Sequence, residues 1–170
     1  MIRKATKDDI KDILDIYNYA ILNTTASYDY KPYTLEKRTK WYNEKIKNNE
    51  PIIVFETEGK VVGLATFGEF RDKPGYKYTI EHSVYVHKDY RNCGIGTKLM
   101  KELIKIARER EYKLIVAGID SENNGSIEMH IKLGFEYAGT IKKAGYKFGR
   151  WLDLSFYQLE LEGPSNPTEI

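Results

Sequence analysis

A glycine-rich turn between two segments of different periodicity is the feature that most constrains this chain. Residues 79–86 alternate in the way a half-buried strand does. Beyond the turn, apolar side chains recur at helical spacing, at Ile95, Leu99, Met100, Leu103, Ile106 and Ala107. A helix is therefore predicted to begin near Gly94, and its first backbone N–H groups have no acceptor within the helix.

The turn itself has the composition of an anion site. The positive end of a helix dipole attracts anions, and Gly94 and Gly96 carry no side chain that would keep a phosphate from the backbone. Arg91 adds a fixed positive charge at the rim. A dinucleotide fingerprint would need a third glycine where Leu99 stands, and there is no Walker A run. The pattern Arg-x-x-Gly-x-Gly therefore predicts a cradle for a pyrophosphate.

The composition fits a single domain over residues 1–162 with a flexible tail at 163–170, where two prolines stand without periodicity. Basic residues exceed acidic ones by only two and the charges are interspersed, which argues against nucleic-acid binding. No apolar run is long enough to span a bilayer, and no signal-peptide core opens the chain. The single cysteine suits a reducing compartment, so a cytoplasmic location is expected.

Patterning along the rest of the chain predicts a strand, two helices, three strands, a helix, a strand, a helix and two final strands. Thr34 is a predicted N-cap of the second helix, with Trp41 and Ile46 on its inward face. Glu58-Gly59-Lys60 is a hairpin turn signal, and Gly134 is placed to end the last helix. This order indicates an α/β or α+β fold built on a mixed sheet.

With these motifs in place, the chain resembles the GCN5-related N-acetyltransferases (GNAT) over nearly all of its length. A second motif also carries the resemblance: Asn123-x-x-Ser126, followed by Met129-His130-x-Lys132-Leu133-Gly134-Phe135. The resemblance implies the fold of that family, a central mixed, mostly antiparallel twisted sheet flanked by about four helices. It also implies acetyl-CoA as the cosubstrate.

Three segments are similar to one branch of that family, the phosphinothricin N-acetyltransferases: residues 81–86, His130, and the run from Ala144 to Trp151. Members of this branch acetylate the α-amine of small amino-acid analogues such as phosphinothricin, methionine sulfoximine and methionine sulfone. The resemblance thus implies an N-acetyltransferase in which the amine attacks the thioester directly. It further implies a homodimer.

Acetyl transfer to an amine needs a base, because an amino-acid ammonium must first lose a proton. Glu81 is the candidate, since partial burial would raise the pKa of its carboxyl; the alternative is a strand carboxylate that faces solvent or pairs with Lys77. His130 stands where the family usually has the tyrosine that protonates the departing thiolate. It could serve as base or acid, or be a histidine of the helix surface or core. His82 and His87 are expected to be structural.

The resemblance assigns the acetyl-CoA contacts to three groups of residues. The pyrophosphate loop comprises Arg91, Asn92, Cys93, Gly94, Ile95, Gly96 and Thr97. The second group is the strand backbone of Val84, Tyr85 and Val86, which faces the pantetheine and the acetyl oxygen. One of its N–H groups would donate to the oxyanion. Asn123 and Ser126 contact the pantetheine. An acyl-cysteine on Cys93 is disfavoured because the position is a variable spacer, and no cluster has metal-ligand spacing, so no metal is expected.

The substrate residues implied by the resemblance lie before the Glu81 strand and in an early aromatic loop. Arg71, Lys73 and Tyr76 match the substrate loop of the branch, and Tyr28 matches an aromatic side chain that covers the substrate. Arginine and lysine are the natural receptors for the two anions of an acidic amino-acid analogue. Weaker candidates near the C-terminal hairpin are Lys147 and Arg150.

Two other functions stay open from the sequence. Transfer to a protein N-terminus or lysine would require an open groove, whereas the aromatic residues around Tyr28 and Tyr76 favour closure over a small molecule. A non-catalytic CoA-sensing module would keep the loop but lose the acid–base pair, and both Glu81 and His130 are present. The sequence does not name the physiological substrate.

Overall fold

The helices and strands follow one another in the predicted order. The structure, a computed structural model, describes all 170 residues. The strands are β1 Ile2–Lys4, β2 Ile52–Thr57, β3 Lys60–Glu69, β4 Thr79–Val86, β5 Leu114–Asp120, β6 Glu136–Lys147 and β7 Arg150–Glu160. The helices are α1 Ile10–Asn23, α2 Leu35–Lys47, α3 Ile95–Glu109 and α4 Asn124–Lys132. Single 3-10 turns occupy Lys7–Asp9, Pro74–Tyr76 and Lys88–Tyr90.

The strands form a seven-stranded sheet in the order β1-β2-β3-β4-β5-β7-β6. The β4–β5 pair is parallel, whereas β1–β2, β2–β3, β5–β7 and β6–β7 are antiparallel. The prediction of an α/β fold on a mixed, mostly antiparallel sheet with four helices is confirmed. No helix is both long and apolar enough to cross a membrane.

The chain divides into two compact units, and the first comprises residues 1–67 and 83–103. Its core cluster joins α1, α2, β2 and β3 through Ile10, Ile13, Ile16, Tyr42, Ile52, Val54, Val61 and Leu64. Helix α3 comes very close to β3 at Gly63, where a Cβ would lie 3.0 Å from both Ile95 Cγ2 and Leu99 Cδ1. The first turn of α3 can therefore pack on the sheet because residue 63 has no side chain.

The second unit comprises residues 68–82 and 104–170. Strand β5 is hydrogen-bonded to β7 in a register that runs from Leu114–Glu160 to Asp120–Leu154. The β6–β7 hairpin turns at Phe148-Gly149, where both residues have positive φ. Near the C-terminus the Thr168 N–H donates to the Tyr78 hydroxyl at 3.0 Å.

The inward face of α2 matches its prediction at Trp41, which packs against the core cluster, but not at Ile46. Thr34 caps the helix as expected, its hydroxyl accepting from the Lys37 N–H at 3.1 Å. Ile46, however, is 54% exposed, so its inward assignment was wrong. The buried face runs instead through Arg38 and Tyr42. Apolar periodicity does not predict a buried arginine. Here the buried guanidinium packs against aromatic rings, which attract a cation.

Candidate active site

The glycine-rich loop ends in a helix N-terminus with open donors. Helix α3 starts at Ile95, and its first intrahelical acceptor is the Gly94 carbonyl, bonded by the Lys98 N–H at 3.1 Å. The N–H groups of Ile95, Gly96 and Thr97 therefore have no acceptor in the helix. Gly94 has φ +76°, and a Cβ at this residue would meet nothing within 4 Å, so its glycine is required by conformation rather than by space.

Two cations flank this loop. The Arg91 guanidinium lies 5.4 Å from the ring centroid of Tyr19, and the Lys88 ammonium lies 5.5 Å from the same ring. Arg91, Asn92 and Cys93 are all exposed, with Asn92 at φ +60°. Lys88 was not among the predicted residues, although a second cation three positions before Arg91 was readable in the sequence. The arrangement fits a polyanion such as the pyrophosphate of CoA.

Strand β4 carries the candidate base at the point where its pairing with β5 stops. The parallel register runs from Thr79–Leu114 to Glu81–Val116, while β4 itself continues through Val84 and Tyr85 to Val86. The Tyr85 ring packs edge-on against Tyr17 at 5.3 Å, and burial raises the pKa of its hydroxyl to about 12. The Tyr85 side chain is therefore uncharged at physiological pH.

Glu81 has the properties expected of a base. Burial raises the pKa of its carboxyl above the ordinary value, and the positive charge of Arg71 opposes that rise. Lys77 does not pair with it, since the Lys77 ammonium donates to Thr168 Oγ1 at 3.1 Å and to the Ile170 carbonyl at 2.9 Å. The carboxyl is half-buried, and so keeps an open approach.

The predicted substrate loop brings cations and rings to the same unit as Glu81. Arg71 is exposed, donates to the Phe70 carbonyl at 2.7 Å and lies over the Phe70 ring at 4.3 Å. Tyr76 packs edge-on against that ring at 5.7 Å. Lys73 caps the short 3-10 turn and is exposed. The loop thus presents two cations and a phenol to solvent near one end of β4.

The early aromatic loop is anchored by polar contacts within the first unit. Tyr17 donates to Asp29 Oδ2 at 2.6 Å, and Asn18 binds both backbone groups of Tyr33. Arg38 is 3% exposed beneath it, with its guanidinium 4.0 Å from the Tyr17 ring. Tyr28, the predicted cover of the substrate, stands in this loop with 38% exposure. These contacts anchor the loop to α1 and α2.

The second predicted catalytic residue, His130, is buried and paired with another histidine. Its Nδ1 lies 2.6 Å from the Ser126 carbonyl, so this nitrogen carries the proton and Nε2 accepts. His82 Nε2 lies 2.9 Å from His130 Nε2 and therefore donates. Burial lowers the pKa of both rings, that of His82 to about 3. Both histidines are thus neutral at pH 7, and His82 Nδ1 has no hydrogen-bond partner.

Glu81 and His130 do not come together. Successive strand residues point to opposite faces of a sheet, so Glu81 and His82 diverge, and His130 contacts His82. His130 is 1% exposed. The two predicted catalytic side chains therefore lie on opposite faces of the sheet at β4.

The remaining predicted residues have visible structural partners. Asn123 caps α4, its Oδ1 accepting from the Ser126 N–H at 3.2 Å. Arg150 binds Glu122 Oε2 at 2.6 Å and lies 3.7 Å from Asp120 Oδ2, so its charge is already compensated. Lys147 is 4% exposed. His87 caps the turn at Lys88–Tyr90 by accepting from the Asp89 N–H at 3.2 Å.

The loop before α3 has the features of a polyanion site, and Glu81, in the other unit, has those of a general base. The sequence profile of the acetyltransferase (GNAT) family matches residues 13–135. The chain belongs to this family and is an acetyltransferase.

Several relatives match over almost the whole chain. The chain is 42% identical to an L-methionine sulfoximine/L-methionine sulfone acetyltransferase from Salmonella typhimurium, covering 98% of this chain and 97% of the relative. A phosphinothricin acetyltransferase from Sinorhizobium meliloti, solved in complex with AcCoA, superposes with a TM-score of 0.94 at 33% identity, covering 99% and 93%. A ribosomal-protein-alanine N-acetyltransferase from Brucella melitensis superposes with a TM-score of 0.93 at 45% identity, covering 95% and 99%.

Proposed function

We propose that this protein transfers the acetyl group of acetyl-CoA to the α-amine of a small amino-acid-like molecule of the phosphinothricin, methionine sulfoximine or methionine sulfone type. The observation that carries the proposal is Glu81, a half-buried carboxyl of raised pKa on β4 with Arg71 acting on it. The names of the Salmonella and Sinorhizobium relatives support the same substrate class.

Glu81 takes the proton from the ammonium, directly or through one water. A carboxyl whose pKa is raised by burial is a stronger base than an exposed one, and it binds the cationic amine before reaction. The free amine then attacks the thioester carbonyl, the C–N bond forms, the C–S bond breaks and CoA leaves as a thiolate that must be protonated. The sequence predicts His130 as the acid for that last step, but this side chain is buried and burial lowers its pKa, so we do not assign the step to it.

Acetyl-CoA is held by the loop and the strand backbone. The N–H groups of Ile95, Gly96 and Thr97, with Arg91 beside them, receive the pyrophosphate. The backbone of Val84, Tyr85 and Val86 takes the pantetheine, and an N–H there stabilises the developing oxyanion. Asn123 and Ser126 are proposed to complete the pantetheine contacts.

Recognition of the amino-acid part is assigned to the cationic loop. Arg71 and Lys73 are exposed and offer charge-assisted hydrogen bonds to carboxylate and phosphinate or sulfone oxygens. Tyr76 adds a hydroxyl, and Tyr28 closes over the substrate from the anchored aromatic loop. Arg150 is a weak candidate because two carboxylates already bind it.

The deciding experiment follows thiol release from acetyl-CoA over a panel of amines. Phosphinothricin, methionine sulfoximine and methionine sulfone are compared with peptides that have N-terminal alanine. Fast release with the amino-acid analogues supports the proposal. Release with peptides alone would contradict it and favour protein acetylation, the function in the name of the Brucella relative. A Glu81→Gln variant that binds acetyl-CoA but is inactive would exclude the CoA-sensing alternative.

We also propose that the protein is a cytoplasmic homodimer. Strand β6 lies at the sheet edge, and its hairpin with β7 exposes Ile141, Phe148 and Trp151 by 54%, 56% and 61%. A sheet edge with exposed aromatic side chains is a surface that a second copy would cover. Light scattering should give twice the 19.8 kDa chain mass. Trp151→Asp should shift it towards monomer, whereas Leu22→Asp, at another exposed apolar position, should not.

A further inference from the structure

Gly118 is an exposed position in the buried central strand β5. Its chain neighbours Ala117 and Ile119, on the opposite face, are 1% and 6% exposed. On its own face, Val116 and Asp120 are 7% and 5% exposed. Gly118 alone in the segment 115–120 is open to solvent. There is thus a local opening in the sheet surface directly above its backbone.

The opening has one charged wall and one apolar wall. A Cβ at residue 118 would lie 3.7 Å from Glu81 Oε2, 3.3 Å from Leu154 Cδ1 and 3.7 Å from Phe156 Cε1. The strand registers explain these distances, since Gly118 pairs with Phe156 on β7 and Glu81 pairs with Val116 on β5. Space that a methyl group would occupy therefore separates the candidate base from two hydrophobic side chains.

The backbone does not account for a glycine at this position. Gly118 does not have a positive φ, and none of the distances from a Cβ is below 3.0 Å. In a strand interior, glycine is less favourable than alanine because it loses more conformational freedom on folding. Alanine would therefore fit once the Leu154 side chain gives way by a few tenths of an ångström. What alanine would remove is the opening beside Glu81.

We propose that Gly118 determines substrate specificity by leaving room for the carbon that carries the reacting amine. The amine then points to the Glu81 carboxyl, and the adjacent methylene groups of the substrate pack on Leu154 and Phe156. An α-amino acid has a cationic amine next to an aliphatic side chain, which matches a carboxyl next to an apolar wall. This inference rests on the proposed role of Glu81 as the base.

The test compares Gly118→Ala and Gly118→Val with the wild type. Each is assayed with the best amine of the panel, whether an analogue or a peptide, at a pH where Glu81 is ionised in all variants. One added methyl in a binding site is worth roughly tenfold or more, so KM for the amine should rise about tenfold in Gly118→Ala and further in Gly118→Val. The acetyl-CoA dissociation constant should stay within about twofold.

A second substitution separates lost space from other effects. Leu154→Ala removes the side chain that the new methyl would crowd most, and it also removes a proposed substrate contact. The effect of Gly118→Ala is therefore measured in the Leu154→Ala background as well, where it should raise the amine KM by less than it does in the wild type. Thermal unfolding of each variant shows whether the fold is intact. If the double variant unfolds, the comparison of Gly118→Ala with Gly118→Val decides, because the rise in amine KM should grow with the size of the side chain at residue 118.

Two results would overturn the inference: an unchanged amine KM in both Gly118 variants, or an equal loss of acetyl-CoA affinity. Its failure is distinct from that of the proposed function. If the wild type acetylates only peptides and Gly118→Ala raises KM for the peptide, the proposed substrate class is contradicted. The role of Gly118 is then still supported. A wild type that acetylates no amine of the panel overturns both.

Discussion

The neutral rings of His82 and His130 share a hydrogen bond between their Nε2 atoms, 2.9 Å apart, and stack with centroids 5.0 Å apart. Phe135 packs edge-on against both rings. Burial lowers the pKa of both imidazoles. Protonating either ring in the folded protein therefore costs more free energy than in the unfolded chain. The pair joins β4 to α4, and its protonation is coupled to stability.

The pair should make the fold sensitive to acid. The unfolded chain binds protons at these histidines near pH 6.5, whereas folded His82 does so only near pH 3. Stability is therefore complete above pH 6.5 and falls as pH drops below it, by up to about 1.4 kcal/mol per pH unit for His82. His130 contributes in the same direction, since burial lowers its pKa too. Urea unfolding at pH 7.5, 6.0 and 5.0 measures this slope.

The double variant His82→Leu/His130→Leu isolates that contribution, because other titrating groups are common to both proteins. Its free energy of unfolding should change less steeply with pH than that of the wild type. Equal pH dependence in the two proteins would show that the pair does not titrate as described.

The same variant tests the acid role of His130. A proton-transfer residue contributes about 10²–10⁴ in rate. Because His130 is buried away from Glu81, we expect kcat to fall by less than about tenfold.

Glu81→Gln keeps the shape of the side chain and removes its basicity. We expect kcat/KM to fall by about 10²–10⁴ with acetyl-CoA affinity retained. In the wild type, kcat/KM should decrease at acid pH with an apparent pKa above the ordinary carboxyl value, since burial raises it. That acid limb should be absent from the residual activity of Glu81→Gln. Glu136→Gln, an exposed strand carboxyl, is the matched control and should behave as wild type.

Arg71 should influence both recognition and the base. Because its charge lowers the pKa of Glu81, Arg71→Ala should move the acid limb of kcat/KM to higher pH. It should also raise KM by roughly tenfold for phosphinothricin, which carries two anionic groups, and by less for methionine sulfone, which carries one. The control is Arg110→Ala, exposed just after α3. Equal losses for the two substrates would argue against contact between Arg71 and the second anion.

The order of elements was predictable from sequence because each segment carries its own local signal. Alternation marked β4, the glycines marked the start of α3, and Gly134 marked the end of α4. These signals depend on neighbours within a few residues, so they survive any tertiary arrangement. The same locality explains the error at Ile46, since only tertiary contacts reveal that Arg38 occupies the buried face of α2.

The arrangement of the site was less predictable. Alternation along β4 already placed His82 opposite Glu81, but nothing local indicated that α4 brings His130 against His82 rather than towards Glu81. The opening over Gly118 is likewise invisible in sequence, because its walls come from β4 and β7, far away along the chain. Side chains that meet only through strand pairing leave no pattern within one segment.

The anion loop can be tested by separating its conformation from its function. Gly94 has φ +76°, and alanine there should cost about 1–2 kcal/mol of stability through left-handed backbone strain. Relief of that strain would turn the N–H groups at the start of α3, so the acetyl-CoA dissociation constant should rise by about tenfold.

Gly59 provides a closely matched control, with φ +74° in the β2–β3 hairpin and nothing within 4 Å of a Cβ. Gly59→Ala should lose similar stability in thermal unfolding and bind acetyl-CoA as the wild type does in calorimetry. If both variants weaken binding equally, the effect comes from general destabilisation. If Gly94→Ala loses stability yet binds normally, the pyrophosphate does not depend on the orientation of these N–H groups, and the anion would have to be held mainly by Arg91 and Lys88.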